Sequence, residues 1–537
     1  MQQYLLTCLL LTPLVAAFGA LFIPAGFRHS FRSIALVASV VQILFLIVAI
    51  GHYDASEQGL QLVERASWIT IDLGSWGILS AEYLLGVDGL SFPLVALSVG
   101  VMFIAAISSW TIDKNQKGYF ILMLVMNAAI IGTFTAIDFL LFYLCFEFML
   151  LPMFFLIGIW GGVRREYASI KFFLYTLVGS ILILIVLIGL YISVNDPEGG
   201  RGQIVHTFSL LHMRDPANFI SNSIFDPNNP WIIGPGSARY LAFLLLFFGF
   251  AIKLPAVPLH TWLPDAHVEA PTPVSVVLAA LLLKIGGYGL LRIAYPIFPE
   301  AALYFSWLIA TFGIVAIIYG ALTAMASKDL KRLIAYSSVS HMGFVLLGMA
   351  SVTVEGVTGA VYQMVSHGII SAMLFLVAGV LYDRTHDRLI DNYSGLSSKT
   401  PAYFTMVLIA FFASMGLPGF SGFIAEVMVF LGAFKSNTTN GLIHESFAIV
   451  ATLGLIMGAA YYLWALQRMF FGPFYLKGAA SGITLTDLTI REYILLAPLG
   501  AAALVLGIFP QLLIDWINPF SQHFVETVLT SGKRILF

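Results

Sequence analysis

The chain of 537 residues consists largely of apolar runs separated by short polar stretches. A run of about 20 apolar residues crosses the hydrocarbon core of a bilayer as an α-helix. Because these runs are continuously apolar rather than alternating, they favour helices over the strands of a membrane β-barrel. The pattern predicts an all-α integral membrane protein with about fourteen spans. The predicted spans are 3–24, 33–52, 88–110, 118–136, 138–161, 169–194, 238–258, 272–295, 302–325, 331–351, 357–382, 402–434, 446–471 and 493–516.

Two longer polar segments interrupt this pattern. Residues 53–87 mix charges with aromatic residues and are expected at the membrane interface. Residues 195–237 contain DPEGG and DPNNP, which predict a loop in water. The tail after Pro519 is expected to be an amphipathic surface segment. The first run lacks a basic start and is soon followed by a second run from Ile34, which favours a retained span over a signal peptide.

Composition supports a lipid-facing surface and excludes several functions. Hydrophobic residues make up 59% of the chain and charged residues only 10%, whereas a soluble domain carries charge on about a quarter of its residues. No basic stripe suggests nucleic acid. Cys8 and Cys145 lie in apolar runs and offer no disulfide framework, and the i, i+7 pair His260 and His267 is poorly spaced for a metal. With no nucleotide fingerprint and no haem or iron–sulfur pattern, the chain is expected to bind no redox cofactor itself.

The distribution of Lys and Arg predicts the orientation. Sixteen of them fall in loops after odd-numbered spans and eight on the other side. By the positive-inside rule the odd loops are cytoplasmic, and both termini lie outside. The remaining two basic residues, Lys253 and Lys284, fall inside spans.

Six ionisable residues lie inside apolar runs. A charge at the centre of a membrane helix costs at least about 2.5–3.5 kcal/mol on insertion scales, so each one needs a reason. Any single one could be structural, since a buried Glu–Lys pair can hold two helices together and a lone histidine can bond a carbonyl. Spread over six spans, however, the set predicts a chain of protonatable sites. The six residues are Glu147, Lys253, Lys284, His341, His367 and Glu426.

Helix-breaking residues accompany two of these charges. Pro255 and Pro258 follow Lys253, and the segment Gly416-Leu-Pro-Gly-Phe-Ser-Gly precedes Glu426 in a run too long for one plain crossing. A proline kink can serve packing alone. Broken helices in corresponding halves of a transporter nevertheless mark two inverted repeats and the ion pathway. Asp138, at a span boundary, is expected to be an interfacial or capping residue.

Four long segments carry a resemblance to a known family. KLPAVPLHTWLPDAHVEAPTPVSVVLAALLLKIGGYGLLR, FYLCFEFMLLPMFFLIGIWGG, KDLKRLIAYSSVSHMGFVLLG and SMGLPGFSGFIAE resemble the proton-antiporter-like subunits of respiratory complex I, and the similarity covers nearly the whole chain. Within that family the chain is most similar to the M type, because the L and N types and the sodium/proton antiporter subunits typically carry Lys where Glu426 stands. The segment LYDRTHDRLIDNYSGL also resembles the M type.

The resemblance implies a proton pathway. Glu147 matches the family's fifth-helix glutamate, Lys253 its partner lysine, and Lys284 the central lysine of the eighth helix. His341 and His367 match the polar residues between the half-channels, and Glu426 matches the terminal acid. The expected proton route runs from the Glu147–Lys253 pair to Lys284, then through His341 and His367 to Glu426.

The resemblance also implies a division of the chain and its setting. We expect helices 1–3 in residues 1–117, two half-repeats at 118–300 and 301–475, and a last helix with a tail at 476–537. The implied function is proton translocation in the membrane arm of an NADH:quinone oxidoreductase, beside L-type and N-type neighbours, with FMN, iron–sulfur clusters and quinone in partner subunits. The expected location is a bacterial inner membrane rather than a mitochondrial one, with both termini on the periplasmic side. A sodium/proton antiporter subunit, a membrane-bound hydrogenase subunit and a non-transport scaffold are the alternatives.

Overall fold

The computed structural model describes residues 4–72, 74, 78–198, 204–227 and 237–536, most of which are helical. Helices dominate because a segment in lipid must satisfy its own backbone hydrogen bonds. The helices of the first half are α1 Leu5–Phe22, α2 Arg28–His52, α3 Ser91–Ser108, α4 Gln116–Thr135, α5 Phe139–Phe148, α6 Leu150–Trp160, α7 Arg165–Ser193, α8 Leu210–Met213, α9 Ser237–Lys253, α10 Trp262–Glu269, α11 Thr272–Val277, α12 Leu283–Gly289 and α13 Tyr295–Ile297. The remaining helices are α14 Pro299–Tyr304, α15 Ser306–Met325, α16 Leu330–Ser351, α17 Val354–Thr385, α18 Pro401–Ser414, α19 Ser421–Thr439, α20 Ser446–Phe470, α21 Ile490–Ile508 and α22 Gln511–Leu536.

Twelve helical segments in the described ranges are long and apolar enough to cross a membrane. Three of these are composite. Helix α3 continues into a 3-10 turn at Ser109–Thr111, and α5 and α6 form one segment. Helices α11 to α13 form the third, joined by π-helical turns at Leu278–Leu282 and Leu290–Ala294. The broken helices α9–α10 and α18–α19 supply two further crossings, and the predicted fold of about fourteen membrane helices is confirmed. We call the face where α1 ends and α2 begins the basic face, because it carries the Lys- and Arg-rich loops.

The polar segment at 53–87 is more regular than the sequence predicted. It contains two antiparallel strands, β1 Gln61–Asp72 and β2 Ile78–Val87, and β2 also pairs in parallel with β3 Val205–Thr207. The third strand comes from the predicted loop at 195–237, part of which lies outside the described residues. A further short pair, β4 Tyr393–Ser394 and β5 Tyr475–Leu476, links two loops on the basic face.

The C-terminal helix α22 begins before Pro519 and continues through it. Its residues Leu513, Ile517 and Phe520 are buried, and the helix packs against α14 and α17. The tail therefore has the amphipathic character that the sequence predicts, with its apolar side turned to the protein.

The central crossings are shielded from lipid. In the α11–α13 crossing and in α17, all residues of the most apolar stretch are buried inside the protein, and in α16 94% of them are. In α1 and α2 the buried share is only 33%. A charged group on one of the central helices contacts protein instead of hydrocarbon, which lowers the cost of keeping it at that depth.

Candidate proton pathway

The first broken helix ends at a charge. Helix α9 stops at Lys253, and α10 resumes only at Trp262, because Pro255 and Pro258 cannot continue the backbone ladder. The Lys253 side chain is buried, and its Nζ donates a hydrogen bond to the Phe146 carbonyl at 3.3 Å. The same ammonium lies 3.3 Å from the centroid of the Phe146 ring, as a cation–π contact requires.

Glu147 sits beside this contact without completing an ion pair. Among the described residues no salt bridge joins Glu147 to Lys253, although the two are near enough for their charges to interact. Glu147 is only partly buried, its Oε1 has no hydrogen-bond partner in the described residues, and the next residue, Phe148, is 60% exposed. The structure therefore shows Lys253 bound to Phe146 in place of the expected direct ion pair with Glu147.

Lys284 lies at the centre of the protein, between the two π-helical turns. It is completely buried, and its Nζ is 2.5 Å from the Ala279 carbonyl and 2.8 Å from Nδ1 of His367. The π turns widen the helix on both sides of this residue, a feature that often accompanies functional sites. Gly286, one half-turn further, lets the helix touch the end of α9: a Cβ there would stand 2.6 Å from the Phe250 carbonyl.

Three further residues continue from Lys284 in direct succession. The rings of His367 and His341 have centroids 5.4 Å apart, and Nδ1 of His341 lies 3.7 Å from Oε1 of Glu426. The order in space is therefore Lys284, His367, His341, Glu426. The sequence-based route placed His341 before His367, and the contacts reverse these two, because α17 rather than α16 brings its histidine to Lys284.

The second broken helix positions Glu426. Helix α18 ends at Ser414, and α19 begins at Ser421, so that Glu426 lies in the second turn of α19. The intervening segment turns at Gly416 and Gly419, whose φ angles are +69° and +99°. A Cβ on Gly416 would stand 2.1 Å from Oε2 of Glu426.

The variant Gly416→Ala should therefore displace the Glu426 carboxylate as well as strain the turn. Left-handed backbone costs an L-residue about 1–2 kcal/mol, and Gly419→Ala shares that cost without the collision, since no atom lies within 4 Å of its Cβ position. We expect both variants to lose thermal stability through backbone strain, but only Gly416→Ala to lose proton transport in membrane vesicles. Equal transport by the two variants would contradict this role for Gly416.

Several polar residues that the sequence reading missed surround His341. The side-chain nitrogen of Gln363 lies 3.3 Å from His341 Nδ1, and the Ser414 hydroxyl lies 3.3 Å from Nε2. Tyr462 connects Ser414 to Ser337. Gln363 could have been found, because it precedes His367 by one helical turn in an apolar run; Tyr462 could not, since only the fold brings α20 to this place.

A cavity adjoins the row formed by Lys284, His367, His341 and Glu426, and another lies on the basic face. A small one of about 10 Å³ between His341 and His367 has room for one water molecule. A larger one of about 380 Å³ lies among residues of the basic-face loops and helix ends. Its charged lining residues are Glu269, Lys331, Asp383, Arg388, Arg491 and Glu492.

The remaining candidates have local roles. Asp138 accepts a hydrogen bond from the Leu141 amide and caps α5, as expected. The ring nitrogens of His260 and His267 have no hydrogen-bond partner in the described residues. Within those residues, no group of three or more His, Cys, Asp or Glu side chains could hold a metal ion.

In the described part of the chain, many apolar helices of membrane-crossing length, two helices broken beside a charge and a buried row of ionisable groups define the class of polytopic ion-pathway proteins. A transmembrane protein family described as NADH:quinone oxidoreductase/Mrp antiporter matches residues 136–452. NADH-quinone oxidoreductase subunit M of Rhodobacter capsulatus is 41% identical over 98% of this chain and 97% of its own length. The chain belongs to this family, within its subunit M branch.

Further relatives and solved structures are similar over nearly the whole chain. NADH-ubiquinone oxidoreductase chain 4 of Chondrus crispus is 37% identical over 96% of this chain and 97% of that protein. A chain of respiratory complex I from Thermus thermophilus superposes with a TM-score of 0.79 at 28% identity, covering 98% of this chain and all of that one. A chain of the Mrp complex from Dietzia sp. has a TM-score of 0.80 over 100% of this chain and 99% of that one, at 20% identity, which shows a shared fold.

Proposed function

We propose that this chain translocates protons as a membrane-arm subunit of NADH:quinone oxidoreductase, using energy from NADH oxidation and quinone reduction in partner subunits. The observation that carries the proposal is the direct succession from Lys284 through His367 and His341 to Glu426, with 2.8 Å at one end and 3.7 Å at the other. Groups this close can exchange protons directly or through one water, which a relay requires.

Lys253 and Glu147 form the other part of the relay. In this state Lys253 is held by the Phe146 carbonyl rather than by the Glu147 carboxylate. An ammonium group with a nearby carboxylate keeps its proton more readily than one without, since it gains Coulomb energy in a low-dielectric site. We infer that Lys253 alternates between approaching Glu147 and passing a proton toward Lys284.

Water completes the route. A molecule in the small cavity would bridge the 5.4 Å between the two histidine rings. The polar cavity on the basic face is large enough to bring solvent to the loop between α10 and α11.

The proposed function also implies a membrane, neighbouring subunits and cofactors in partner subunits. We infer a bacterial inner membrane with both termini on the periplasmic side, L-type and N-type subunits as neighbours, and FMN, iron–sulfur clusters and quinone bound by partners. The partly exposed Glu147, beside the exposed Phe148, supports a neighbour on this face, since lipid would not cover a carboxylate.

A sodium/proton antiporter subunit is the second candidate, because the Mrp chain shares the fold. Glu426 rather than Lys at the end of the row favours the first. Purification of the tagged chain from its native membrane distinguishes the two candidates. Co-purification of NADH:quinone reductase activity supports the oxidoreductase. Co-purification of small membrane partners without that activity supports the antiporter.

Glu147→Gln tests the relay in the assembled enzyme. The amide keeps the size of the side chain but cannot carry the charge that Lys253 needs, so we expect proton pumping per NADH to fall about tenfold or more. Glu355→Gln is the matched control, since Glu355 forms a solvent-exposed pair with Lys435. Normal pumping by a normally assembled Glu147→Gln enzyme would remove Glu147 from the pathway.

A further inference from the structure

A chain of three hydroxyl groups leads away from His341. Ser414 lies 3.3 Å from the His341 Nε2 and 2.7 Å from the Tyr462 hydroxyl, which lies 2.9 Å from the Ser337 hydroxyl. All three hydroxyl-bearing side chains are buried, at 3% exposure or less. The chain ends on the backbone carbonyl of Ile334, 2.8 Å from Ser337.

The carbonyl at the end fixes the direction of every bond. A carbonyl only accepts, so Ser337 donates its single proton to Ile334. Ser337 must then accept from Tyr462, and Tyr462, whose proton is used, must accept from Ser414. With its own proton used, Ser414 can only accept at its remaining contact, which is His341.

The ring nitrogen facing Ser414 therefore carries the proton. A neutral imidazole has one N–H, so a proton on Nε2 leaves Nδ1 as a bare acceptor. The side-chain amide of Gln363 also lies near this nitrogen, with its Nε2 3.3 Å from Nδ1. The bare Nδ1 is also the atom 3.7 Å from the Glu426 carboxyl group.

We propose that Tyr462 is a positioning residue for proton transfer: through Ser414 it holds His341 in the Nε2–H form, so that Nδ1 is the nitrogen that can accept a proton from Glu426. A proton on the Glu426 carboxyl can then move to Nδ1, breaking the O–H bond and forming an N–H bond, to give a carboxylate and an imidazolium. In the opposite tautomer an N–H would face Glu426, and no proton could be accepted there. The consequence for pumping rests on the proposed function; the tautomer does not.

The first measurement is the tautomer itself. The full chain with nitrogen-15 histidine is reconstituted in lipid bilayers for solid-state NMR, and the His341 signals, among eleven histidines, are identified by their loss in His341→Gln. We expect the Nε2–H form. In Tyr462→Phe, Ser414 is free to donate to Nε2. The ratio of Nδ1–H to Nε2–H should then rise roughly fivefold, which corresponds to the net free energy of one ordinary hydrogen bond.

Tyr403→Phe is the matched control, because this buried tyrosine bonds only the Val377 carbonyl among the described groups and lies outside the chain. It should leave the ratio unchanged. Ser414→Ala, which removes the link at His341 itself, gives the same expected shift if Tyr462→Phe does not fold. An Nδ1–H form in the unaltered chain, or an unchanged ratio in the variants that fold, overturns the proposal.

Pumping in the assembled enzyme separates this inference from the proposed function. We expect Tyr462→Phe to lower protons pumped per NADH and to change the pH profile of pumping, whereas Tyr403→Phe changes neither. A shifted tautomer with unaltered pumping and pH profile would overturn the place of His341 in the relay, while the assignment of its tautomer stands.

Discussion

Replacement of Lys284 by methionine is expected to stop proton pumping almost completely while leaving the chain folded. Lys284 is completely buried, and its ammonium bonds only the Ala279 carbonyl and His367 Nδ1 among the described groups. Methionine fills similar space without a protonatable group, so the row loses its first member. Removal of a positioned proton donor or acceptor costs a factor on the order of 100 or more.

Lys284→Arg distinguishes a relay from a structural charge. Arginine keeps the positive charge and the donors but does not lose its proton in proteins. If Lys284 only stabilised its neighbours by charge, Arg would preserve pumping; if it transfers protons, Arg should fail as Met does.

The measurement is proton uptake into vesicles that contain the assembled enzyme, per NADH oxidised. Assembly is checked by the yield of the purified complex. Lys435→Met is the control, because Lys435 is largely exposed and paired with Glu355, and it should pump normally. Full pumping by either Lys284→Met or Lys284→Arg would show that the proton takes another route.

The sequence could predict which charges are buried or partly buried inside the protein because a bilayer makes such charges conspicuous, and their place in a proton pathway stays a prediction. A charge in a continuous apolar run is costly enough that its presence demands a function, which identified Glu147, Lys253, Lys284 and Glu426 without any structure. The breaks beside Lys253 and Glu426 were predictable for a similar reason, since Pro and Gly interrupt helices wherever they occur.

The partners of these residues could not be predicted, because they come from distant segments. The order of the two histidines depends on which helix packs nearer to α12. Arg239 and Arg292 are two of the eight basic residues assigned from the sequence to loops on the less basic side, yet both side chains are buried, in ion pairs with Glu300 and Asp88. Hydropathy along the chain cannot distinguish an arginine in water from one that is paired inside the protein.

The division into half-repeats at 118–300 and 301–475 stays a prediction. The broken helices α9–α10 and α18–α19 are consistent with it, since each half contains one. The strands β1 and β2 could have been suspected from the β-branched and aromatic residues between Gln61 and Val87, but the charges among them favoured an interfacial segment.

Breaking the buried pair of Asp88 and Arg292 should be strongly destabilising. The guanidinium binds both carboxylate oxygens, at 2.8 and 2.6 Å, and both side chains are at most 8% exposed. Asp88→Asn keeps an oxygen that can accept from the amides of Leu90 and Ser91 but removes the charge. Leaving Arg292 unpaired should cost about 3–5 kcal/mol of unfolding free energy.

Asp113→Asn provides the matched comparison, since it makes the same change in the pair with Arg32, where the Asp113 side chain is 80% exposed. An exposed pair contributes about 0–1 kcal/mol. Unfolding in mixed detergent and SDS micelles, followed by circular dichroism, gives both values. A double variant, Asp88→Leu with Arg292→Met, should recover most of the loss, because the cost lies in the uncompensated charge rather than in the missing bond. Similar losses in Asp88→Asn and Asp113→Asn would mean that water reaches Arg292, and that the pair does not hold α3 to the end of the central crossing.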